Sequence, residues 1–141
     1  MNADTLKAEG WKSLDGAGFT GTLGTIWIRS IGTQHTLGFF SDSRHCNQSA
    51  DVVHGGALMT FADISLGYGA ARALGHSACV TAQLQTHFVS SAPVGAFISC
   101  QPEVVRKGAS LVFTRGLICV GDKTVVSADG IWKVLEQKPR A

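Results

Sequence analysis

A long apolar segment in the middle of the chain limits the folds that this sequence can adopt. From Gly55 to Leu74 the pattern predicts a helix in which Asp63 is the only charged side chain before Arg72. An ionised carboxylate is costly to bury unless it is paired or hydrogen-bonded. That charge and the glycines of the segment also argue against a lipid environment. We therefore expect a core helix in which the Asp63 carboxylate is either stabilised by a partner group or takes part in the function.

The segments on either side of this helix have the alternating pattern of β-strands. A short amphipathic helix is expected at residues 3–14, and the polar tail at 137–141 is expected to fray. Strands are expected at residues 24–29, 35–40, 80–88, 96–106, 110–120 and 124–135. Short, glycine-marked connections favour antiparallel neighbours. The order predicts an α+β fold in a single domain, residues 1–141, with a curved antiparallel sheet wrapped around the central helix.

Composition narrows the choice of partners. The chain is 45% hydrophobic and 16% charged, which is apolar for 141 residues and predicts that further surface is buried in a homo-oligomer. A net charge of +2 without a lysine–arginine run gives no basis for nucleic-acid binding. The four cysteines lack CxxC spacing, so no metal site is expected. Asp4 and Glu9 interrupt the start of the chain, so no secretory signal and a cytoplasmic location are expected.

The sequence His54-Gly55-Gly56 at the start of the predicted helix suggests a function. The first N–H groups of a helix lack partners within it and carry positive partial charge, which suits an anion or a polarised carbonyl oxygen. Asp63 lies eight residues after Gly55, roughly 12 Å further along the axis at about 1.5 Å per residue. One substrate carbon cannot contact both groups of the same helix. A working site would therefore combine Gly55 of one subunit with Asp63 of another, at a dimer interface.

At these residues the sequence resembles hotdog-fold acyl-CoA thioesterases of the phenylacetate-pathway (PaaI-like) type, over about residues 24–135. In that family an HGG turn opens the central helix, and an acidic residue follows the His by nine positions, as Asp63 follows His54 here. The resemblance implies that the Gly55 amide polarises the thioester carbonyl and that Asp63 is general base or nucleophile. It also implies that Thr81, on the strand after the helix, assists the carboxylate or the water. No metal or redox cofactor is needed, because a thioester is already activated, and coenzyme A enters only with the substrate.

The loop before the HGG turn departs from the family pattern. Relatives often have N-x-x-G-x-x-H-G-G, in which the Asn helps to position water or substrate. Here Asn47 lies one residue too far upstream, Gln48 occupies the Asn spacing, and Asp51 stands where Gly is usual. Either the loop carries one extra residue and Asn47 still serves, or Gln48 has taken over its role.

Several neighbouring residues have both a structural and a functional interpretation. His54 is expected to fix the turn through hydrogen bonds, since a catalytic base must reach the substrate. Gly56 is either an ordinary turn glycine or part of the oxyanion site. Asp63 itself could be a structural carboxylate paired with Arg29 or Arg72.

Polar residues further along the chain are candidates for substrate binding. Gln83, Gln85 and His87 are expected to share the face of Thr81, either as solvated surface or as a wall of an acyl channel. Arg106 and Lys107 are expected at a hairpin tip, as a solvated turn or as contacts to coenzyme A phosphates.

The function expected from these observations is hydrolysis of an acyl-CoA by a homodimer, alone or as half of a tetramer of two dimers, with no nucleic-acid or membrane partner. Two alternatives stay open. A hotdog hydratase or dehydratase would need a His–acid pair at the substrate. An acyl-CoA binding protein would keep the pocket but lack an effective base. The identity of the acyl group does not follow from the sequence.

Overall fold

An antiparallel sheet of eight strands curves around a long helix in the computed structural model, which describes residues 1–49 and 51–136. The helices are α1 (Ala3–Ala8) and α2 (Gly55–Leu74), with 3₁₀ turns at Gly18–Leu23 and Ser43–His45. The strands are β1 (Lys12–Leu14), β2 (Ile26–Ile31), β3 (Gln34–Phe40), β4 (Cys79–Phe88), β5 (Phe97–Cys100), β6 (Glu103–Lys107), β7 (Leu111–Val120) and β8 (Lys123–Val134). This arrangement confirms the α+β class predicted from the sequence.

The strand order places β4 at one edge of the sheet. The order is β1-β2-β3-β5-β7-β8-β4, and β6 pairs with β7 beside that path. All the pairings are antiparallel, as the short connections predicted. Among the described residues β4 pairs with β8 on one side only, so its other side offers free backbone groups to a further strand.

The helix α2 fills the concave side of the sheet and has the predicted bounds. It begins after His54, whose side chain caps the first turn, and ends at Gly75, where φ is 78° in the left-handed region. Phe61 and Leu66 are fully buried against the sheet. Burial of such side chains contributes roughly 1.5–3 kcal/mol each, so this face holds α2 in place. No helix among the described residues has the length and apolarity needed to cross a membrane.

The expected helix at residues 3–14 is too long. The helix α1 ends at Ala8, because Gly10 adopts a φ of 88° that turns the chain. The next residues form β1, which pairs with β2 at the second edge of the sheet. Leu6 and Trp11 then pack with Trp27 on the convex side, so the N-terminal segment covers part of the outer face.

The expected strand at residues 96–106 is two strands. Pro102 has no N–H to donate, and the chain bends there between β5 and β6. Before the bend β5 lies between β3 and β7, whereas β6 has β7 as its single neighbour in the part of the chain that the structure describes. The sheet therefore splits between β3 and β6. The expected fraying at 137–141 lies outside the described residues.

A bulge in β4 overturns the expectation that Thr81 and Gln83 share a face. Thr81 pairs with Trp132 and Gln83 pairs with Ile131, so Ala82 is an extra residue in the ladder. Trp132 and Ile131 are consecutive and point to opposite sides of the sheet. Thr81 therefore faces α2, whereas Gln83 lies on the convex side. Gln85 and His87 follow Gln83, since they pair with Asp129 and Ser127.

Candidate active site

The HGG turn leaves one backbone donor of the first helical turn free. His54 Nδ1 accepts a hydrogen bond from the Gly56 N–H at 2.7 Å. The His54 carbonyl accepts from the N–H groups of Ala57 and Leu58, at 3.0 and 3.2 Å. The Gly55 N–H has no hydrogen-bond partner among the described residues. It is thus the donor that can point at a ligand, as an oxyanion site requires.

His54 is held as a structural cap. Because Nδ1 accepts from Gly56, the proton of the neutral imidazole is assigned to Nε2. The backbone N–H of His54 donates to the His45 carbonyl at 2.7 Å. His45 is itself buried, and its Nδ1 accepts from the Asp42 N–H at 3.0 Å. The buried His45 thus helps to fix the chain entering α2. Its role escaped the sequence interpretation, although Asp42 three residues earlier is the signature of a cap.

The ring of Phe88 lies beside Gly55 at the end of β4. Its Cε1 is 3.4 Å from the position that a Cβ on Gly55 would occupy, and its side chain is half-exposed. The free N–H of Gly55 therefore has an apolar neighbour. An apolar neighbour lowers the local dielectric, which strengthens a hydrogen bond to a developing charge.

Asp63 and Thr81 are brought together across α2 and β4. The Thr81 hydroxyl donates to Asp63 Oδ1 at 2.5 Å. Asp63 is half-buried, and it forms no salt bridge within the described residues. Arg29, one of its conceivable partners, lies over the Trp11 ring at 4.9 Å. A carboxylate held by a hydroxyl but left without a cation is available to accept a proton.

The Gly55 N–H and the Asp63–Thr81 pair lie at opposite ends of the face that α2 and β4 share. Strand β4 runs back along α2, so that Thr81 contacts Asp63 and Phe88 lies beside Gly55. Gly55 and Asp63 are eight residues apart on the helix. A single chain therefore contains the Gly55 donor and the Asp63 carboxylate but does not bring them together.

The residues of the upstream loop form a local turn. Asn47 Oδ1 accepts from the Ser49 N–H at 3.0 Å, and the Asn47 N–H donates to the Val52 carbonyl at 2.9 Å. A β-bridge between Cys46 and Val53 closes this loop directly before His54. Asn47 is half-buried, and Gln48 is exposed. Asn47 thus lies nearer to the chain that enters the HGG turn than its sequence spacing suggests.

The candidate coenzyme A contacts do not lie where the sequence placed them. Arg106 and Lys107 belong to β6 and pair with Phe113 and Val112, while the tip of the hairpin is formed by residues 108–110. Because they are consecutive in a strand, their side chains leave opposite faces of the sheet. Both are exposed. They therefore cannot hold one phosphate between them from a single face.

A cleft of about 1210 Å³ lies elsewhere, at the split between β3 and β6. Its lining includes His35, Arg72, Glu103 and Arg115, but none of the candidate site residues. Burial, and secondarily the charge of Arg72, lowers the pKa of His35. Arg115 is paired with Glu103 at 3.1 Å. The candidate catalytic groups, in contrast, lie on an open surface.

The architecture of the chain is a hotdog fold, whose central helix carries the free Gly55 N–H and Asp63, the hydrogen-bond partner of Thr81 on β4. A model of the Thioesterase superfamily matches residues 50–127, and the chain belongs to that family.

One relative agrees with this assignment, and two solved structures share the fold. A Pseudomonas aeruginosa protein with an esterase designation, PA0474, is 33% identical over 92 residues, which cover 64% of this chain and 68% of that protein. The PaaI protein of the E. coli phenylacetic acid degradation operon has a similar structure, with a TM-score of 0.68, 16% identity and coverage of 96% of this chain and 86% of that one. BH2602 of Bacillus halodurans, solved with CoA, gives a TM-score of 0.70 at 21% identity and covers 79% of this chain and 74% of its own.

Proposed function

We propose that this protein hydrolyses an acyl-CoA thioester to a free acid and coenzyme A. The observation that carries the proposal is the hydrogen bond from Thr81 to Asp63, because Asp63 lies on the helix that also bears the free Gly55 N–H. A base and an oxyanion donor are the two groups that addition of water to a thioester needs. Membership of the thioesterase superfamily and the esterase-named relative support this chemistry.

The complete site would form in a homodimer through the free edge of β4. Exposed apolar side chains follow this edge: Val80 is 48% exposed, Phe88 50% and Val89 57%. Antiparallel pairing of two β4 strands about a two-fold axis at Gln85, with Ala82 bulged out of the ladder, places Val80 opposite the partner subunit's Val89. An exposed edge with apolar side chains favours such pairing, since it satisfies the free backbone groups and covers the apolar surface.

The same axis joins the two halves of the site. Thr81 comes opposite the partner subunit's Phe88, and these residues lie beside Asp63 and Gly55 of their own chains. Each dimer would therefore carry two sites, each with Asp63 and Thr81 from one subunit and Gly55 from the other. Met59 lies midway between Gly55 and Asp63 on α2 and is 39% exposed. At the two-fold axis it would meet its own copy and border both acyl groups.

In the proposed reaction Asp63 accepts a proton from a water molecule that attacks the thioester carbon. The Gly55 N–H stabilises the oxyanion, a contribution of about 3 kcal/mol for one such donor. The C–S bond then breaks, the acid is released, and the thiolate takes up the proton to give coenzyme A. Thr81 orients the carboxylate. Direct attack by Asp63, through an anhydride that water then cleaves, uses the same groups.

Coenzyme A would lie at the surface of the dimer. That BH2602 was solved with CoA supports a binding site for it in this fold. We propose Arg106 or Lys107 as a contact for its phosphates, since both are exposed cations on the edge strand β6. Asn47 or Gln48, and Gly56, are proposed to contact the acyl or pantetheine portion near the HGG turn. No metal or redox cofactor enters this reaction scheme.

The proposal is tested by measuring thiol release from a panel of acyl-CoAs with purified protein. Asp63→Asn should lower kcat by about 10²-fold or more, because general-base catalysis typically contributes that much. Asp122→Asn, in the exposed turn before β8, is the matched control and should leave kcat unchanged. Turnover that survives in Asp63→Asn would remove Asp63 from the mechanism.

The same panel separates the alternatives. Tight acyl-CoA binding without thiol release would indicate a binding protein. Loss of enoyl-CoA absorbance without free thiol would indicate a hydratase. The geometry disfavours the hydratase, because His54 Nδ1 accepts a hydrogen bond from the Gly56 N–H as the cap of the turn.

A further inference from the structure

The indole of Trp132 is wedged between α2 and β8 at two glycines. A Cβ on Gly67 would lie 3.0 Å from Trp132 Nε1. A Cβ on Gly130 would lie 2.6 and 2.7 Å from Trp132 Cζ3 and Cη2. Trp132 is only 3% exposed. The ring therefore rests on the backbone of Gly130 and contacts the backbone of Gly67, where no side chain keeps the two elements apart.

This wedge lies directly beside the Asp63–Thr81 hydrogen bond. Gly67 follows Asp63 by one helical turn and shares its side of α2. Trp132 pairs with Thr81 across β8 and β4, on the side that faces the helix. The ring and the hydrogen bond thus span the same gap between helix and sheet, one turn apart.

We propose that Trp132 is a positioning residue that sets the distance between α2 and β4, so that the Thr81 hydroxyl reaches Asp63. The hydrogen bond is short, at 2.5 Å, and its length depends on how closely the helix approaches the sheet. The ring cannot retreat from the helix, because the backbone of Gly130 lies directly against it on the sheet side. A larger residue at position 67 must therefore move the helix.

The chain offers a matched control two residues along the same helix. A Cβ on Gly69 would lie 2.9 Å from Pro102 Cβ, which is as close as the contact at Gly67. Pro102 precedes β6 and does not border Asp63 or Thr81. Gly67→Ala and Gly69→Ala thus impose similar steric strain at two places, and only Gly67 adjoins the Asp63–Thr81 hydrogen bond.

The kinetic test rests on the proposed function. Gly67→Ala should lower kcat at least tenfold with KM within twofold, whereas Gly69→Ala should keep kcat within twofold of the starting protein even if it unfolds more easily. Adding Trp132→Phe to Gly67→Ala removes the atoms that the new methyl group meets and should restore most of kcat. Equal kcat losses in the two glycine variants, or no recovery in the double variant, would overturn the inference.

A second readout does not depend on activity. The coupling between Thr81→Val and Asp63→Ala, measured as a double-mutant cycle on the free energy of unfolding in urea, reports the hydrogen bond itself. The coupling should disappear in the Gly67→Ala background and persist in the Gly69→Ala background. If the starting protein releases no thiol, the proposed function fails, while this cycle still decides the inference. Coupling that persists in Gly67→Ala would overturn it.

Discussion

Thr81 pairs with Trp132, on the helix-facing side of the sheet, because Ala82 occupies an extra position in β4. In a regular ladder Ala82 would pair with Trp132, and Thr81 would point away from α2. A one-residue shift exchanges the two faces of a strand, so this bulge decides which side chain reaches Asp63. The acid–hydroxyl pair is therefore a product of strand register as much as of residue type.

The hydroxyl of Thr81 should matter for turnover more than for substrate binding. We expect Thr81→Val to lower kcat about tenfold, which corresponds to about 1.4 kcal/mol, close to the lower limit of about 1.5 kcal/mol for a hydrogen bond to a charged group. Thr81→Ser should retain most of the activity, because it keeps the donor. The measurement is thiol release at saturating acyl-CoA.

Thr86→Val is the matched control for Thr81→Val. Thr86 lies on the same strand and pairs with Ala128, away from Asp63. It should keep kcat within twofold. Equal kcat values for Thr81→Val and Thr86→Val would contradict a role for the Asp63 contact.

Loss of the cap at His54 should weaken the start of α2. We expect His54→Ala to lower the free energy of unfolding by about 1 kcal/mol, since the Gly56 N–H loses its acceptor. It should also lower kcat, because the Gly55 N–H is then less well oriented. His54→Asn supplies an alternative cap acceptor and should recover stability in urea denaturation.

This pair of variants separates a structural His54 from a catalytic one. Recovery of both stability and kcat in His54→Asn agrees with a cap. Recovery of stability with kcat still absent would mean that the imidazole takes part in the reaction.

The dimer should depend on the apolar edge of β4. We expect Val89→Lys to shift the protein toward monomers in sedimentation equilibrium, because it places a charge against the partner subunit's Val80. Thiol release should fall in parallel, since neither monomer contains a whole site. Leu117→Lys, a 51% exposed apolar residue on β7, is the control and should leave both properties intact. A fully active monomer of Val89→Lys would exclude a shared site.

The free energy of unfolding should fall at acidic pH, partly because the Asp42 carboxylate becomes protonated. The hydrogen bond from the Arg44 side chain lowers the pKa of Asp42 from 3.8 to about 2. The folded state thus favours the ionised carboxylate, so this contribution is present above pH 4 and is lost as the pH falls through about 2. It should be modest, because the Asp42 side chain is 45% exposed and screened by solvent.

The measurement is the unfolding free energy of wild type and Asp42→Asn between pH 5 and pH 2 at low ionic strength. Asn keeps an acceptor for the Arg44 N–H, so the comparison isolates the charge. The difference between the two proteins should shrink as the pH falls, and Arg44→Gln should flatten it. A difference that is constant with pH would contradict the ion pair.

The sequence predicted those helices and strands that are marked by residues within or directly beside them. The helix α2 has the expected bounds because His54 and Gly75 are strong end signals. The segment Lys12–Leu14 was missed as a strand, since three exposed residues carry no pattern of their own and are ordered by β2. Pro102 was visible, and its missing N–H should have divided the expected strand at 96–106.

The contacts of the candidate site could be predicted only in part. The spacing of Gly55 and Asp63 follows from helix geometry. The bulge at Ala82 does not follow from β4, whose alternation looks regular until it is set against β8. The sequence did not indicate the position of Trp132 either. The space that its ring fills is left by Gly67 and Gly130, which are far apart in sequence.

The tryptophans are divided between two environments. Trp11 and Trp27 pack together under α1 on the convex side, whereas Trp132 stands alone against the helix that bears Asp63. In a protein with phenylalanine at positions 11 and 27, all indole fluorescence would come from beside the proposed reaction centre. The arrival of an acyl group could then be followed in real time without an added dye.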